Sequence, residues 1–195
     1  MIRYFTELCK QKLEELSDEA IFQEATNNFS CYNKNCPRCG AINKLNPYDS
    51  YSRGLIFYED GCVKSSSVII YRFDCISCGA THALLPDLLI PYSQYTLRFK
   101  FTVLLAYFER KTSVAAICEH FCIAISTLYE WKKTLLNHKE ILFGVLKSQK
   151  ESALHFIQSL LGSNSFSEIL YGFFRRHGFS FMQNQSIPAT RTRSP

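Results

Sequence analysis

Two Cys-x-x-Cys-Gly knuckles, Cys36-Pro37-Arg38-Cys39-Gly40 and Cys75-Ile76-Ser77-Cys78-Gly79, constrain this chain more than any other feature. A two-residue spacer lets both thiolates of a pair reach one ion at about 2.3 Å, and two such pairs complete a tetrahedral zinc site. The glycine after each pair suits a knuckle that turns through a positive φ. Thirty-five residues separate the pairs. Set at the ends of a hairpin-rich segment, they predict a zinc ribbon in which Zn2+, bound by Cys36, Cys39, Cys75 and Cys78, replaces a core that about 50 residues build poorly alone. Buried, unmetallated cysteine and redox chemistry are the competing readings. A thioredoxin-like redox site, however, needs one motif at a strand-to-helix junction, not two matched copies. His82, four residues after Cys78, is a candidate substitute ligand, although four cysteines already close the site. A closed site has no position for water, and neither the deaminase order of His-x-Glu before Pro-Cys-x-x-Cys nor His-Glu-x-x-His occurs. The zinc is therefore expected to be structural.

Nine cysteines in 195 residues cannot all pair. Residues 1–7 enter an amphipathic pattern with no secretory n-region or h-region, so a cytoplasmic, reducing location is expected and disulfides are not. Cys9, Cys31, Cys62, Cys118 and Cys122 lack partners at ligand spacing and read as small apolar fillers. The apolar stretch Ala83–Tyr92 is broken by Pro86, Asp87 and Pro91 and falls short of the roughly 20 residues that span a bilayer, so no membrane partner is expected.

The fold class that follows is α+β, a small four-cysteine ribbon followed by a mainly helical region with flanking helices. Residues 1–30 show three- and four-residue apolar spacing from Tyr4 to Ile21, which predicts one or two short helices. Residues 31–82 hold the ribbon, with strands at Leu55–Tyr58 and Val68–Phe73 around an Asp60-Gly61 turn. Residues 83–92 read as a Pro-containing linker. Within 93–137 come three helices, at Gln94–Glu109, Ser113–Phe121 and roughly Ile125–Leu136. Residues 138–182 hold C-terminal helices stopping at Gly162 and Gly178, and 183–195 a disordered tail. Charge divides unevenly, with three basic and six acidic groups in residues 1–30 against seven and three in 98–139. That suits a nucleic-acid-facing second half.

The stretch Thr112–Lys133 fits a helix-turn-helix. Val114, Ile117 and Phe121 share one face of the first helix, Ile123 plugs the turn, and Leu128 and Trp131 close a small core. Ala115 or Ala116 would allow a close helix crossing. Ser126, Thr127, Glu130 and Lys133 stay outside, where a recognition helix presents groups to the major groove. Lys132 and Lys133, with Lys100, Arg110, Lys111 and Lys139, are candidate phosphate contacts. Glu130 either accepts from a cytosine amino group or weakens the contact. Cys122 stands where the turn usually has glycine, and Ala124 where a capping Ser or Thr is usual. An ordinary helix pair in a bundle is the alternative.

The motifs Cys36-Pro-x-Cys-Gly, Tyr71 to Asp87, Ile90-Pro91-Tyr92-Ser93-Gln94-Tyr95 and Ser126-Thr127-Leu128-Tyr129-x-Trp131 resemble, over residues 31–137, a family of short bacterial proteins associated with insertion sequences. Such proteins are labelled transposase-like or left as a domain of unknown function. The resemblance implies a zinc ribbon feeding a helix-turn-helix, the same four cysteine ligands, a recognition helix at Ile125–Lys133, and no catalytic residues. A transposase needs converging acids on a large sheet, whereas the 58 residues after Asn137 carry only Glu140, Glu151 and Glu168. A non-enzymatic, double-stranded-DNA-binding protein of mobile-element origin is the expectation, nucleoid-associated when bound. A module docking onto a transposase, another partner or a second copy is the alternative, motivated by Phe173, Phe174, Phe179 and Phe181 as an aromatic surface.

Overall fold

Asp60 and Gly61 both take positive φ, 51° and 78°, the two-residue turn whose twist matches the strands it joins. In the computed structural model, which describes residues 2–4, 16–27, 29–30, 34–144 and 151–184, this turn links β2 (Leu45–Glu59) to β3 (Cys62–Cys75). The ladder runs from Glu59↔Cys62 to Leu45↔Cys75, with an irregularity between Pro47 and Asp49. The two apolar bursts marked only the middle of this hairpin. Beyond them the strands continue through serines and tyrosines, because backbone pairing places no demand on side chains that face water.

The third strand, β4 (Thr81–Pro86), pairs antiparallel with β3 through Phe73↔His82, and β1 (Ile2–Tyr4) pairs parallel with β4. The order is β1-β4-β3-β2. Two expectations change here. Tyr4 ends a strand instead of starting a helix, while residues 5–15 lie outside the described residues. The segment 83–92 is not a linker: Pro86 closes β4, a strand end where its missing N–H is tolerated, and Leu88, Leu89 and Ile90 are buried. Asp87 is buried with them and accepts from the Ser167 hydroxyl at 2.6 Å.

α1 (Asp18–Asn27) lays Phe22 against Leu55, Phe57, Val68, Ile70, Leu85 and Leu89 of the sheet side. The helical layer follows as α2 (Leu97–Glu109), α3 (Val114–His120), α4 (Ile125–Phe143), α5 (Ala153–Leu161) and α6 (Phe166–His177). Helix α2 begins later than expected because Gln94 O accepts from Ile56 N at 2.8 Å and Thr96 N donates back to Ile56 O at 3.1 Å. Those residues run along the outer edge of β2, and only then does the Thr96 hydroxyl cap the helix by accepting from Phe99 N. Helix α4 runs past Leu136 because Leu135, His138 and Lys139 continue its buried face. Gly162 and Gly178 stop α5 and α6 as expected. Phe99, Phe101, Phe166 and Phe173 are fully buried in the helical core, which also receives Ile56, Tyr58 and Val63 from the hairpin.

Candidate metal centre and nucleic-acid interface

Both knuckles are built by the same local bonds. Gly40 N donates to Cys36 O at 2.9 Å and Gly79 N to Cys75 O at 2.7 Å, and both glycines take the positive φ their position requires, 76° and 66°. The first knuckle precedes β2 and the second joins β3 to β4, so the pairing of Leu45 with Cys75 and the donation from Ile76 N to Lys44 O bring them to the same end of the sheet. Cys36 Sγ lies 3.7 Å from Cys78 Sγ, Cys39 Sγ lies 3.8 Å from Cys75 Sγ, and all four sulfurs fall within 4.8 Å of one another. An ion bound tetrahedrally at about 2.3 Å sets its sulfurs about 3.8 Å apart. The donor set therefore fits a metal ion.

The electrostatics also fit. Burial raises the Cys36 thiol, but the N–H groups of Cys39 and Arg38 and the His82 ring outweigh it and bring it down to about 5. At Cys78 the Ala80 N–H pulls down, yet burial and the neighbouring thiols of Cys39, Cys36 and Cys75 push it up to about 12. Four thiolates this close repel one another, and a bound cation removes that penalty. His82 is buried, with Nε2 at 3.3 Å from Cys36 Sγ, and it stands outside the four-sulfur group. Of the remaining cysteines, Cys118 is buried as a filler, whereas Cys62 and Cys122 are exposed, and Cys9 and Cys31 lie outside the described residues.

The α3–α4 pair packs through the residues its sequence pattern indicated. Ile117, Phe121, Ile123, Leu128 and Trp131 are buried, and Val114 is half-buried. The Ser113 hydroxyl caps α3 by accepting from Ala116 N at 3.2 Å. Ala115 and Ala116 are both exposed and so do not sit at the crossing. Cys122 takes φ 51°, and Ala124 precedes α4 with extended backbone and no side-chain cap.

The candidate contact residues do not form one free basic face. Ser126, Glu130, Lys133, Arg110 and Lys111 are exposed, and Thr127 is half-buried. Lys111 pairs with Glu109 at 3.1 Å. Lys132 donates to the Tyr107 hydroxyl at 2.9 Å and lies over the Tyr107 and Tyr129 rings. Lys100 is not a surface residue at all: it sits on the inward face of α2, 4% exposed, with Nζ 5.3 Å from the Trp131 ring centre and 3.4 Å from Met182 O. Burial brings its ammonium down to about 8, against an upward pull from Glu130. Lys139 is likewise buried and donates to Glu151 O. Helical periodicity marks apolar faces, and a lysine falling on one is not distinguished from a lysine in water.

The segment expected to begin a free tail engages α4 instead. Asn184 donates to Glu130 Oε1 and accepts from the Thr134 hydroxyl at 2.9 Å. Glu130, Lys133, Thr134, Asn137 and His138 line a cleft of about 460 Å³ that this segment borders. His138 accepts from Met182 N at 3.0 Å, and burial, with the nearby charges of His177 and Lys100, lowers it to about 4. Phe173 and Phe181 are buried and Phe174 and Phe179 half-buried, so they are core and not an aromatic surface. Residues 185–195 lie outside the described residues.

Residues 36–131 match a family described as a domain of unknown function (DUF6431). The match opens on Cys36, the first of the four clustered cysteines, and closes on Trp131, which seals the α3–α4 core. No curated protein and no solved structure matches the chain. No helix among the described residues is long and apolar enough to cross a membrane.

Proposed function

We propose that the ribbon and the helices that follow it, through Lys133, form a zinc-bearing unit that binds double-stranded DNA, of mobile-element (transposase-related) bacterial origin, with α3 and α4 acting as a helix-turn-helix and Ile125–Lys133 of α4 as its recognition helix. The observation that carries this reading is the turn. Cys122 adopts the left-handed backbone usually given to glycine there, Ile123 is buried beneath it, and Ser126 at the start of α4 remains in water. Four convergent thiols support zinc as the ion, since soft donors at closed tetrahedral spacing select it. In this reading the ribbon is structural, no catalytic step falls to these residues, and Arg110, Lys111 and Lys133 make phosphate contacts while Ser126 and Thr127 reach phosphate or base edges.

A salt-titrated duplex-binding assay tests it. Arg110→Ala with Lys133→Ala should weaken binding to every sequence and reduce the slope of log K against log salt by about 0.9 per lost phosphate contact. A wild-type slope in that double variant would remove α4 from the interface. A second reading, docking onto a transposase or another protein, is favoured by an exposed apolar row on the same helix, Ile125, Tyr129 and Leu136. Salt-insensitive association with a protein, and no duplex binding, is its signature.

A further inference from the structure

We infer that His82 is an outer hydrogen-bond donor of the metal centre, a positioning residue that holds the Cys36 thiolate and ties occupancy of the site to strand β4. The inference rests on the zinc reading above and adds to it a group that is not a ligand. His82 is 6% exposed and faces Cys36, itself 2% exposed, across 3.3 Å from Nε2 to Sγ. It lies outside the group of four mutually close sulfurs, which leaves the tetrahedron to the cysteines and His82 as a neighbour of Cys36. A metal-bound thiolate offers lone pairs and no proton, so the contact is favourable with the imidazole proton on Nε2. Arg38 N approaches the same sulfur at 3.4 Å, so two donors converge on the buried ligand, whereas Cys39 is exposed.

Donors of this kind draw electron density from a bound thiolate and hold it in the orientation the ion needs, and their loss commonly weakens metal binding 10- to 100-fold. The strand register is what delivers this one. His82 pairs with Phe73 where β4 begins, three residues after the second knuckle turns at Gly79. A loosened metal site therefore releases β4 at its first residues, and a displaced β4 removes the donor.

Cobalt(II) loaded into the full chain in place of zinc reports on this directly. His82→Phe should move the sulfur-to-cobalt charge-transfer bands to lower energy and release zinc to a chelator about 10-fold faster or more. His82→Gln, whose amide nitrogen can take the place of Nε2, should restore both. Unchanged bands and an unchanged rate in His82→Phe overturn the inference while leaving the zinc reading intact. A wild-type band intensity of three thiolates also overturns it, by making His82 a ligand. Wild-type protein that takes up no cobalt defeats the zinc reading and the inference together. If His82→Phe does not fold, His82→Asn replaces it, because its shorter amide cannot reach Cys36. Identical spectra for the Asn and Gln variants then overturn the donor role.

Discussion

The two ends of the hairpin are closed by different physics. At the turn end, Ile56, Tyr58 and Val63 lean on the helical core, with Tyr58 5.0 Å from the Phe121 ring and its hydroxyl 2.8 Å from His120 Nε2. At the other end, among the described residues, Leu45, Phe73 and Cys75 cluster with Ile2, Cys36 and Leu84, with Phe29 and Cys78 half-buried beside them. Two of the buried members there, Cys36 and Cys75, belong to the four-cysteine group. Apolar packing and hydrogen bonds to the helical layer hold the first end, while the second buries fewer apolar side chains and gathers four thiols, so under the zinc reading coordination supplies what packing does not. On the zinc reading, a small sheet is wedged onto a large core on one side and pinned by an ion on the other.

Removing the metal should break this comparison most sharply. Structural zinc contributes on the order of 10 kcal/mol in small zinc modules, so chelation or Cys75→Ser is expected to unfold the metal end while the helical core persists. Trp131 is the only tryptophan and is buried in that core, so its fluorescence should stay native as the tyrosine near-UV signal of Tyr48, Tyr51 and Tyr71 collapses. Simultaneous loss of both signals would show that the two ends form one cooperative unit.

A smaller effect probes the helical side. Lys100 is lowered from 10.5 to about 8 by burial, so the folded state binds fewer protons than the unfolded one between those values. Stability should rise with pH across that window and the cost of the buried ammonium should be complete below pH 8. The difference corresponds to about 3 kcal/mol at most. Lys100→Met should therefore be more stable than wild type at pH 7, with the gap closing towards pH 10.5 in denaturant titrations. A gap independent of pH would mean that the ammonium is adequately satisfied by Trp131 and Met182 O.

The smallest effect is local. Ala124 has the extended backbone of a cap and no side-chain bond to α4, so Ala124→Ser should add about 1 kcal/mol. An unchanged denaturation midpoint would indicate that α4 gains nothing at its first turn beyond what its packing already provides.

Much of the helical half could be read along the chain, because caps, stops and faces are local. Ser113, Gly162, Gly178 and the row Ile117, Phe121, Leu128 and Trp131 act within one or two turns of themselves. Strand β4 was less legible, since Thr81–Pro86 contains a proline and no alternation, and its pairing with β3 and β1 is a tertiary matter. The same limit applies to the candidate interface. Lys100 and Lys133 look equivalent in a charge count, yet one lies under Trp131 and the other in water.

By itself the sequence determined the donors: four cysteines in two knuckles, each with a glycine at its positive-φ turn, because knuckle geometry depends on neighbours in the chain. Matched spacing already anticipated that the two pairs meet; tertiary structure alone decided the strand register that brings them together, the contact of His82 with Cys36, and the bond from Asn184 to Glu130. Those contacts join residues 36 to 54 positions apart, and they depend on strand register and on how the chain returns to α4, which no local pattern encodes.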